Sequence, residues 1–275
     1  MKIKTKGSIP MKKVTAILMT LVLILASASV LAEPVGNENY TVKTGVSYSN
    51  PWGITVANVI YKDGELFKIL VDTVRPDGGL SSKEKYDDYG IRAVSGLGKE
   101  WWEEVAFFET WAESNDVSAL ELDENGHALD ADVISGATIN LANYVEAVQN
   151  AEAGVVEAEG FSVKTGFSFS EQWGATIANV IYKDDAIFKI LLDTVRPDGG
   201  LSSKEKFDDY GIKRVSGLGK EWWEEVSFFE TWAEGNDLST LELDENGHAV
   251  NADVISGATI NLGNHTEAIL DALSK

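Results

Sequence analysis

The first third of the chain carries the alternation of apolar and polar residues that is typical of strands. Residues 41–47 and 55–61 each form one such run. Lys62-Asp63-Gly64 then supplies turn residues, and alternation resumes from 65 to 74. Two alternating runs joined by a short Asp-Gly turn predict a β-hairpin. Residues 75–79, rich in Pro and Gly, predict the end of this sheet.

The pattern then changes to helical spacing. Apolar residues recur at intervals of three and four on one face of 99–112, which predicts a helix. A second, smaller hairpin is expected at 120–129, because Asn125-Gly126 suits its turn. A last short helix is predicted from Ile139 to about Val148. Strands and helices that do not strictly alternate favour an α+β class, with an antiparallel sheet and packed helices.

The same pattern occurs twice. Thr73 to Lys85 recurs unchanged from Thr194, and Gly98 to Val105 recurs from Gly219. One constant offset of 121 residues relates the copies, and about three positions in four are identical. A period this long indicates two whole domains rather than a solenoid. We predict a first domain at 38–150, a linker at 151–160 that extends the last helix, and a second domain at 161–275.

The N-terminus predicts export. Five lysines without acidic residues precede an apolar run from Val14 to Leu25, and small residues follow up to Ala32. This pattern is typical of a secretory signal peptide at 1–32, cut before Glu33, with Met11 as an alternative start. An uncleaved membrane anchor is the alternative interpretation. The expected location is extracellular, cell-wall-associated or periplasmic.

Composition removes several classes of function. The chain contains no cysteine, which excludes disulfides, thiolate metal sites, a cysteine nucleophile and a lipoprotein-type lipid anchor. Its formal net charge of −21 repels phosphate backbones, so nucleic acid is not an expected partner.

Conventional catalytic groups are not evident. His127 and His248 stand beside the predicted hairpin turns, and His265 has Tyr144 as its counterpart; we expect turn or surface positions for all three. The acidic residues are expected in turns or on the solvent face of the long helix. We therefore predict no catalytic residue and no metal ligand.

Aromatic residues crowd the long helix of each copy. At helical spacing they predict core packing, but five rings on one helix also suit a pocket for a planar ligand. The residues are Trp101, Trp102, Phe107, Phe108 and Trp111, with Trp222, Trp223, Phe228, Phe229 and Trp232 in the second copy.

One heptapeptide, Asp132 to Thr138, recurs intact as Asp253 to Thr259. It predicts a strand that passes through a Ser-Gly turn into a helix. Ser135 or Thr138 would then cap that helix. An alternative is an anion site, because amides at a helix start favour a phosphate and glycine permits close approach.

Asp, two residues, then Ser-Gly-Ala-Thr resembles the flavinylation motif of the FMN-binding domain family. That family is similar to the FMN-carrying subunits of sodium-pumping NADH:quinone reductase and Rnf complexes, and to extracellular flavin carriers of bacteria. The segments Asp87 to Gly90 and Gly98 to Trp102, both repeated, resemble the central part of its stand-alone extracellular members.

The resemblance implies FMN linked through its phosphate to the last residue of each motif by a flavin transferase that uses FAD. The implied attachment sites are Thr138 and Thr259, and the implied recognition residues are Asp132, Ser135, Gly136, Ala137, Asp253, Ser256, Gly257 and Ala258. Two covalent FMN groups on one chain would make it an extracytoplasmic electron-transfer flavoprotein, a redox carrier rather than a stand-alone enzyme. Its partners would be a membrane redox donor and an extracellular electron acceptor.

Val133 and Val254 depart from the family pattern, in which a small residue commonly follows the aspartate. Tandem relatives are lipid-anchored, and this chain lacks the cysteine for that. Two other functions stay open: a tandem extracellular binding module without flavin, and a flavin-dependent reductase of an extracellular acceptor.

Overall fold

A computed structural model describes residues 31–275, so nearly all of the predicted signal peptide lies outside the described residues. Each copy forms one four-stranded sheet and three α-helices, which confirms the α+β class and the tandem arrangement. The elements of the first copy are β1 (Val35–Gly36), β2 (Tyr40–Ser49), β3 (Gly53–Lys62), β4 (Glu65–Val74), α1 (Trp101–Ala112), α2 (Ala131–Ile134) and α3 (Ala142–Ala153). Those of the second are β5 (Glu157–Ala158), β6 (Phe161–Ser170), β7 (Gly174–Lys183), β8 (Ala186–Val195), α4 (Trp222–Gly235), α5 (Ala252–Ile255) and α6 (Gly263–Leu273).

Each sheet is an antiparallel meander in the order of the chain. The predicted hairpin is β3 and β4, joined at Asp63 and Gly64, which both adopt positive φ angles. The second predicted hairpin is reduced to a single bridge between Leu122 and Ala128 around its Asp-Glu-Asn-Gly turn. The segment predicted as a linker contains the end of α3 and the edge strand β5, which pairs with β6.

The helices of each copy cover one face of its sheet. α3 lies so close to β2 that a Cβ on Gly45 would stand 2.0 Å from the amide nitrogen of Ala151. Glycine therefore permits this approach, which no other residue could. Phe108 of α1 and Leu141 before α3 are fully buried in the resulting core.

The opposite faces of the two sheets pack against each other. Val46 and Val56 of the first sheet share an apolar cluster with Val163 and Leu191 of the second. A second mixed cluster is centred on Tyr40. The molecule is thus layered helix, sheet, sheet, helix, and the two copies form one body. This packing explains why β3 and β7 are buried on both faces.

Equivalent residues meet where the copies are related by an approximate two-fold axis. The hydroxyl of Thr165 lies 2.8 Å from that of Thr44, its counterpart. Likewise Tyr86 stacks on Phe207 with ring centroids 4.2 Å apart. Both of these residues have positive φ angles, near 45° and 42°, a conformation that costs roughly 1 kcal/mol for a side chain of this kind. An interface in which a residue meets its own counterpart is the geometry of a two-fold homodimer.

Buried ion pairs connect the copies beside this axis. Lys189 Nζ lies 3.3 Å from Glu84 of the first copy, and Lys68 Nζ lies 3.4 Å from Glu205 of the second. Burial opposes ionisation of Glu84, but Lys204 and Lys189 outweigh it and lower its pKa to about 2. The carboxyls that hold this interface are therefore charged at neutral pH.

The acidic residues of the long helix depart from the prediction. Glu104 and Glu109 of α1 are fully buried instead of facing solvent. Glu109 accepts the Val71 amide of β4 at 2.6 Å and Lys83 Nζ at 2.8 Å. Burial raises the pKa of Glu109 well above its usual value, although Lys83 opposes this shift. The buried acids thus satisfy groups that the neighbouring strand and loop leave unpaired.

Candidate functional site

The repeated heptapeptide does not form the predicted strand, turn and helix. Its first residues belong to the short helix α2, Ser135 and Gly136 form a turn, and an irregular segment follows to Asn140. Neither Ser135 nor Thr138 is the N-cap of the helix that follows, and Ser135 instead stands at the C-terminal end of α2. The Ser135 hydroxyl donates to the Asp132 carbonyl at 2.7 Å, and Asn140 accepts the first-turn amide of Ala142 at 3.0 Å. The capping prediction was therefore wrong, and the heptapeptide forms a helix-to-loop element.

Glu104 of α1 holds the end of this loop. Its Oε2 accepts the Thr138 amide at 2.5 Å, the Thr138 hydroxyl at 3.1 Å and the Ile139 amide at 3.1 Å. Its Oε1 accepts the hydroxyl of Ser95. In the second copy Glu225 makes the same bonds to Thr259, Ile260 and Ser216. The motif threonine is thus fixed by a buried carboxylate that the sequence did not single out.

Lys99, just before α1, and Phe107, within it, also hold the motif loop in place. Lys99 Nζ donates to the Gly136 carbonyl at 3.2 Å and lies 5.5 Å from the centre of the Phe107 ring. That ring covers Gly136 so closely that a Cβ there would stand 2.2 Å from it. Lys220, Phe228 and Gly257 repeat the arrangement. The motif glycine is therefore required by its packing against this aromatic ring.

The remaining motif residues divide by exposure. Asp132, Ser135 and their counterparts Asp253 and Ser256 are exposed. The residue pairs Gly136 with Ala137 and Gly257 with Ala258 are buried, and both threonines are partly buried. An approaching protein can therefore reach the aspartate and serine side chains directly. Asp253 differs from Asp132 in accepting the indole N–H of Trp232 at 2.7 Å.

The alternative prediction, an anion site at free amides of a helix start, was wrong. The amides of Gly136 and Ala137 are not free, because both donate to the Val133 carbonyl, at 3.0 and 2.8 Å. The amides of Thr138 and Ile139 already face a negative group, the Glu104 carboxylate. A phosphate on the Thr138 oxygen would be repelled from Glu104, so it would have to point away from these amides.

A cleft of about 330 Å³ lies beside the first motif, whose next residues Ile139 and Asn140 form part of its wall. We call it the first cleft. Tyr89 and Trp101 stack in its wall with ring centroids 5.5 Å apart. Trp52 lines it as well, with the Arg75 guanidinium 5.5 Å from its ring. The cleft thus offers aromatic surfaces, one cation and a volume within the usual range for small-molecule sites.

The second cleft, of about 420 Å³, is the counterpart of the first at the other motif. All twelve residues that line the first cleft have their counterparts, 121 positions later, in the wall of the second. Tyr210 and Trp222 stack there with centroids 5.6 Å apart, and Arg196 and Lys206 both line the wall as cations. The duplicated motif therefore comes with a duplicated cleft.

The predicted turn or surface position holds for two of the three histidines. His127 and His248 are half exposed beside their turns, as expected, but each also lines a cleft. The prediction of a turn or surface position was wrong for His265, which is only 6% exposed in α6. Burial against the sheet decided its position, since its counterpart Tyr144 is equally a core residue.

Sequence reasoning missed Glu104, Lys99, Arg75 and Trp52 as parts of the site, together with their counterparts. The one available signal was that the segments around them recur unchanged, such as Thr73 to Lys85. It could not show that the first strand hairpin, α1 and the motif meet at one cleft.

Within residues 31–275, no group of three or more potential ligand side chains is placed to hold a metal ion. In the same range, no helix has the length and apolar character needed to cross a membrane. Comparison with protein-family models, curated proteins and solved structures found no match.

Proposed function

We propose that this chain is an extracytoplasmic electron-transfer flavoprotein, with one FMN linked by a phosphoester to Thr138 and one to Thr259. The observation that carries the proposal is a spatial one. In both copies the last residue of a motif resembling a flavinylation site stands next to an aromatic-walled cleft. A helix cap alone would not need such a cleft, and neither threonine is a helix cap.

The described residues fit the group. Stacked Tyr89 and Trp101 offer a wall for a flat ring system, and Arg75 compensates negative charge. Lys99, whose Nζ donates to the Gly136 carbonyl, adds a second cation to the motif loop two residues before Thr138.

Attachment would use FAD and a flavin transferase. The Thr138 oxygen would bond to the phosphorus of the FMN half, the bond to AMP would break, and the hydroxyl proton would leave with AMP as the other product. Glu104 already accepts a hydrogen bond from that hydroxyl and so orients it. Exposed Asp132 and Ser135 are reachable by the transferase.

The bound flavin supplies the redox chemistry, and the protein supplies attachment, orientation and surrounding charge. Electrons would arrive from a membrane redox donor and pass to an extracellular acceptor. A covalent link suits an exported carrier, because a freely dissociating flavin would be lost to the surroundings.

Intact mass after co-expression with a flavin transferase tests the proposal. The wild-type chain should gain two FMN groups, Thr138→Ala and Thr259→Ala one each, and the double variant none. Thr110→Ala, a change of an exposed helical threonine, is the control and should keep both. No gain in the wild type, or a gain that survives in the double variant, would contradict the proposal.

The same clefts favour a second candidate, noncovalent binding of a planar extracellular ligand. Denaturation separates the two: the yellow absorption of oxidised flavin stays with the unfolded chain only when the flavin is covalently attached.

A further inference from the structure

The two clefts differ in residue type at only one of twelve equivalent lining positions. Eleven residues of the first cleft are identical in the second, whereas Tyr144 is replaced by His265. Across the two copies about one position in four differs. The clefts are therefore alike in their aromatic walls and cation, and unlike in one buried polar group.

In the first cleft this polar group is satisfied by the protein. Tyr144 Oη accepts the indole N–H of Trp101 at 2.9 Å. Its neighbour Asn143 donates through Nδ2 to the Ser49 hydroxyl at 2.6 Å. These side chains thus have partners without any ligand.

In the second cleft the equivalent groups lack partners. His265 Nδ1 and Nε2 are buried, and neither makes a hydrogen bond of normal geometry within residues 31–275, although the Asn261 backbone lies near the ring. Asn264 Nδ2 is buried and unpaired as well, because Ser170 turns to the amides of Gln172 and Trp173 instead. Two residues that line one cleft therefore carry three buried polar atoms without a hydrogen-bond partner in the described chain. Such atoms are uncommon, and each costs free energy until a partner satisfies it.

The donor and acceptor atoms of His265 and Asn264 indicate which chemical class of partner fits. Burial lowers the pKa of His265 to about 4, although the backbone of Asn261 opposes this shift. At neutral pH the ring is therefore uncharged, with one N–H donor and one nitrogen acceptor. Asn264 adds a donor. The complement is the edge of a flat heterocycle that carries N–H and C=O groups side by side, as one edge of the flavin ring does.

We propose that the second cleft is the stronger of two flavin-ring sites, because His265 and Asn264 hydrogen-bond the polar edge of the ring. This inference rests on the proposed function. The first cleft offers the same aromatic surfaces, but its polar side chains are already paired and gain less from the ring.

Riboflavin tests the proposal, since it carries the ring but no phosphate. The full chain, produced without a flavin transferase, is titrated by quenching of riboflavin fluorescence. Two classes of site are expected, and His265→Tyr, which restores the residue of the first copy, should weaken the tighter class about tenfold. The matched control is Thr266→Val, the neighbouring residue changed in the same way to its first-copy counterpart, which should bind riboflavin as the wild type does.

Nitrogen NMR of the wild type gives a second readout that needs no variant. Both ring nitrogens of His265 should shift when riboflavin saturates the protein. Signals that stay fixed, or equal affinity in wild type and His265→Tyr, would overturn the inference. The imidazole of His265 would then be hydrogen-bonded by water and not by the flavin.

The outcome is separable from that of the proposed function. Riboflavin binding that depends on His265, without FMN attachment to Thr138 or Thr259, would contradict the covalent link and support the ring site. Attachment at both threonines without a His265 effect would remove this inference alone. Absence of riboflavin binding to the unmodified chain would overturn the second-cleft site whatever the mass shows.

Discussion

Glu104→Ala should release the motif loop of the first copy while that of the second stays fixed. In the native protein one buried carboxylate accepts two backbone amides and two hydroxyls from this region. Alanine leaves the amides of Thr138 and Ile139 without an acceptor. Each unsatisfied, partly buried donor costs about 1–3 kcal/mol, so we expect the free energy of unfolding to fall by about 3 kcal/mol. Glu104→Gln keeps one oxygen in place and should cost about 1 kcal/mol.

Urea denaturation at pH 7, followed by tryptophan fluorescence, measures this loss. Glu146→Ala is the control, because it removes an exposed carboxylate from α3. Its effect should stay within about 0.5 kcal/mol. An unchanged midpoint in Glu104→Ala would refute the argument that this carboxylate holds the loop.

The second copy provides an internal reference for flavin attachment. After co-expression with a flavin transferase, proteolytic peptides report the FMN occupancy of each threonine separately. Glu104→Ala should lower occupancy at Thr138 and leave Thr259 as it was, and Glu225→Ala should do the reverse. Equal occupancy at both sites in both variants would mean that the transferase does not need the threonine to be held.

Two further changes test the interface and the motif turn. Glu84→Gln should lower the free energy of unfolding by about 3 kcal/mol at pH 7, because its carboxyl pKa falls from 4.5 to about 2 on folding. This stability is present above pH 4.5 and lost as pH falls through about 2, so the urea midpoints of variant and wild type should converge in acid. The control Glu245→Gln, which changes an exposed carboxylate, should match the wild type throughout. Gly136→Ala should cost about 1–3 kcal/mol, because its methyl group meets the Phe107 ring. The control Gly96→Ala, where a Cβ meets no atom within 4 Å, should change the urea midpoint little.

Local signals predicted the elements well because their causes are local. The hairpin of β3 and β4 follows from strand alternation and the Asp63-Gly64 turn, and α1 follows from its apolar spacing. The motif loop was assigned the wrong structure for a physical reason. Its irregular segment is held by Glu104, a residue 34 positions earlier, and no pattern within the heptapeptide contains that partner.

The buried charges escaped prediction for the same reason. Charged residues are seldom fully buried unless they are paired, yet Lys83, Glu84 and Glu109 are all buried. Their burial depends on opposite charges supplied by other elements, in part by the other copy. A single sequence shows which residues carry charge, but the pairing that makes burial possible exists only in the folded molecule.

The sheet-to-sheet packing also changes what two sites on one chain can do. Two domains on a flexible linker would move independently, and each could meet a partner alone. Here apolar clusters, the Thr44–Thr165 contact and buried ion pairs join the copies, so the two clefts keep a fixed separation and orientation. If the chain is the proposed carrier, it would present both sites as one unit, and a partner bound at one cleft would find the other at a fixed distance. Because the cleft walls are nearly identical, any functional difference between the two sites depends on the few residues that differ. Among the equivalent wall positions, the residue that differs is His265, which replaces Tyr144.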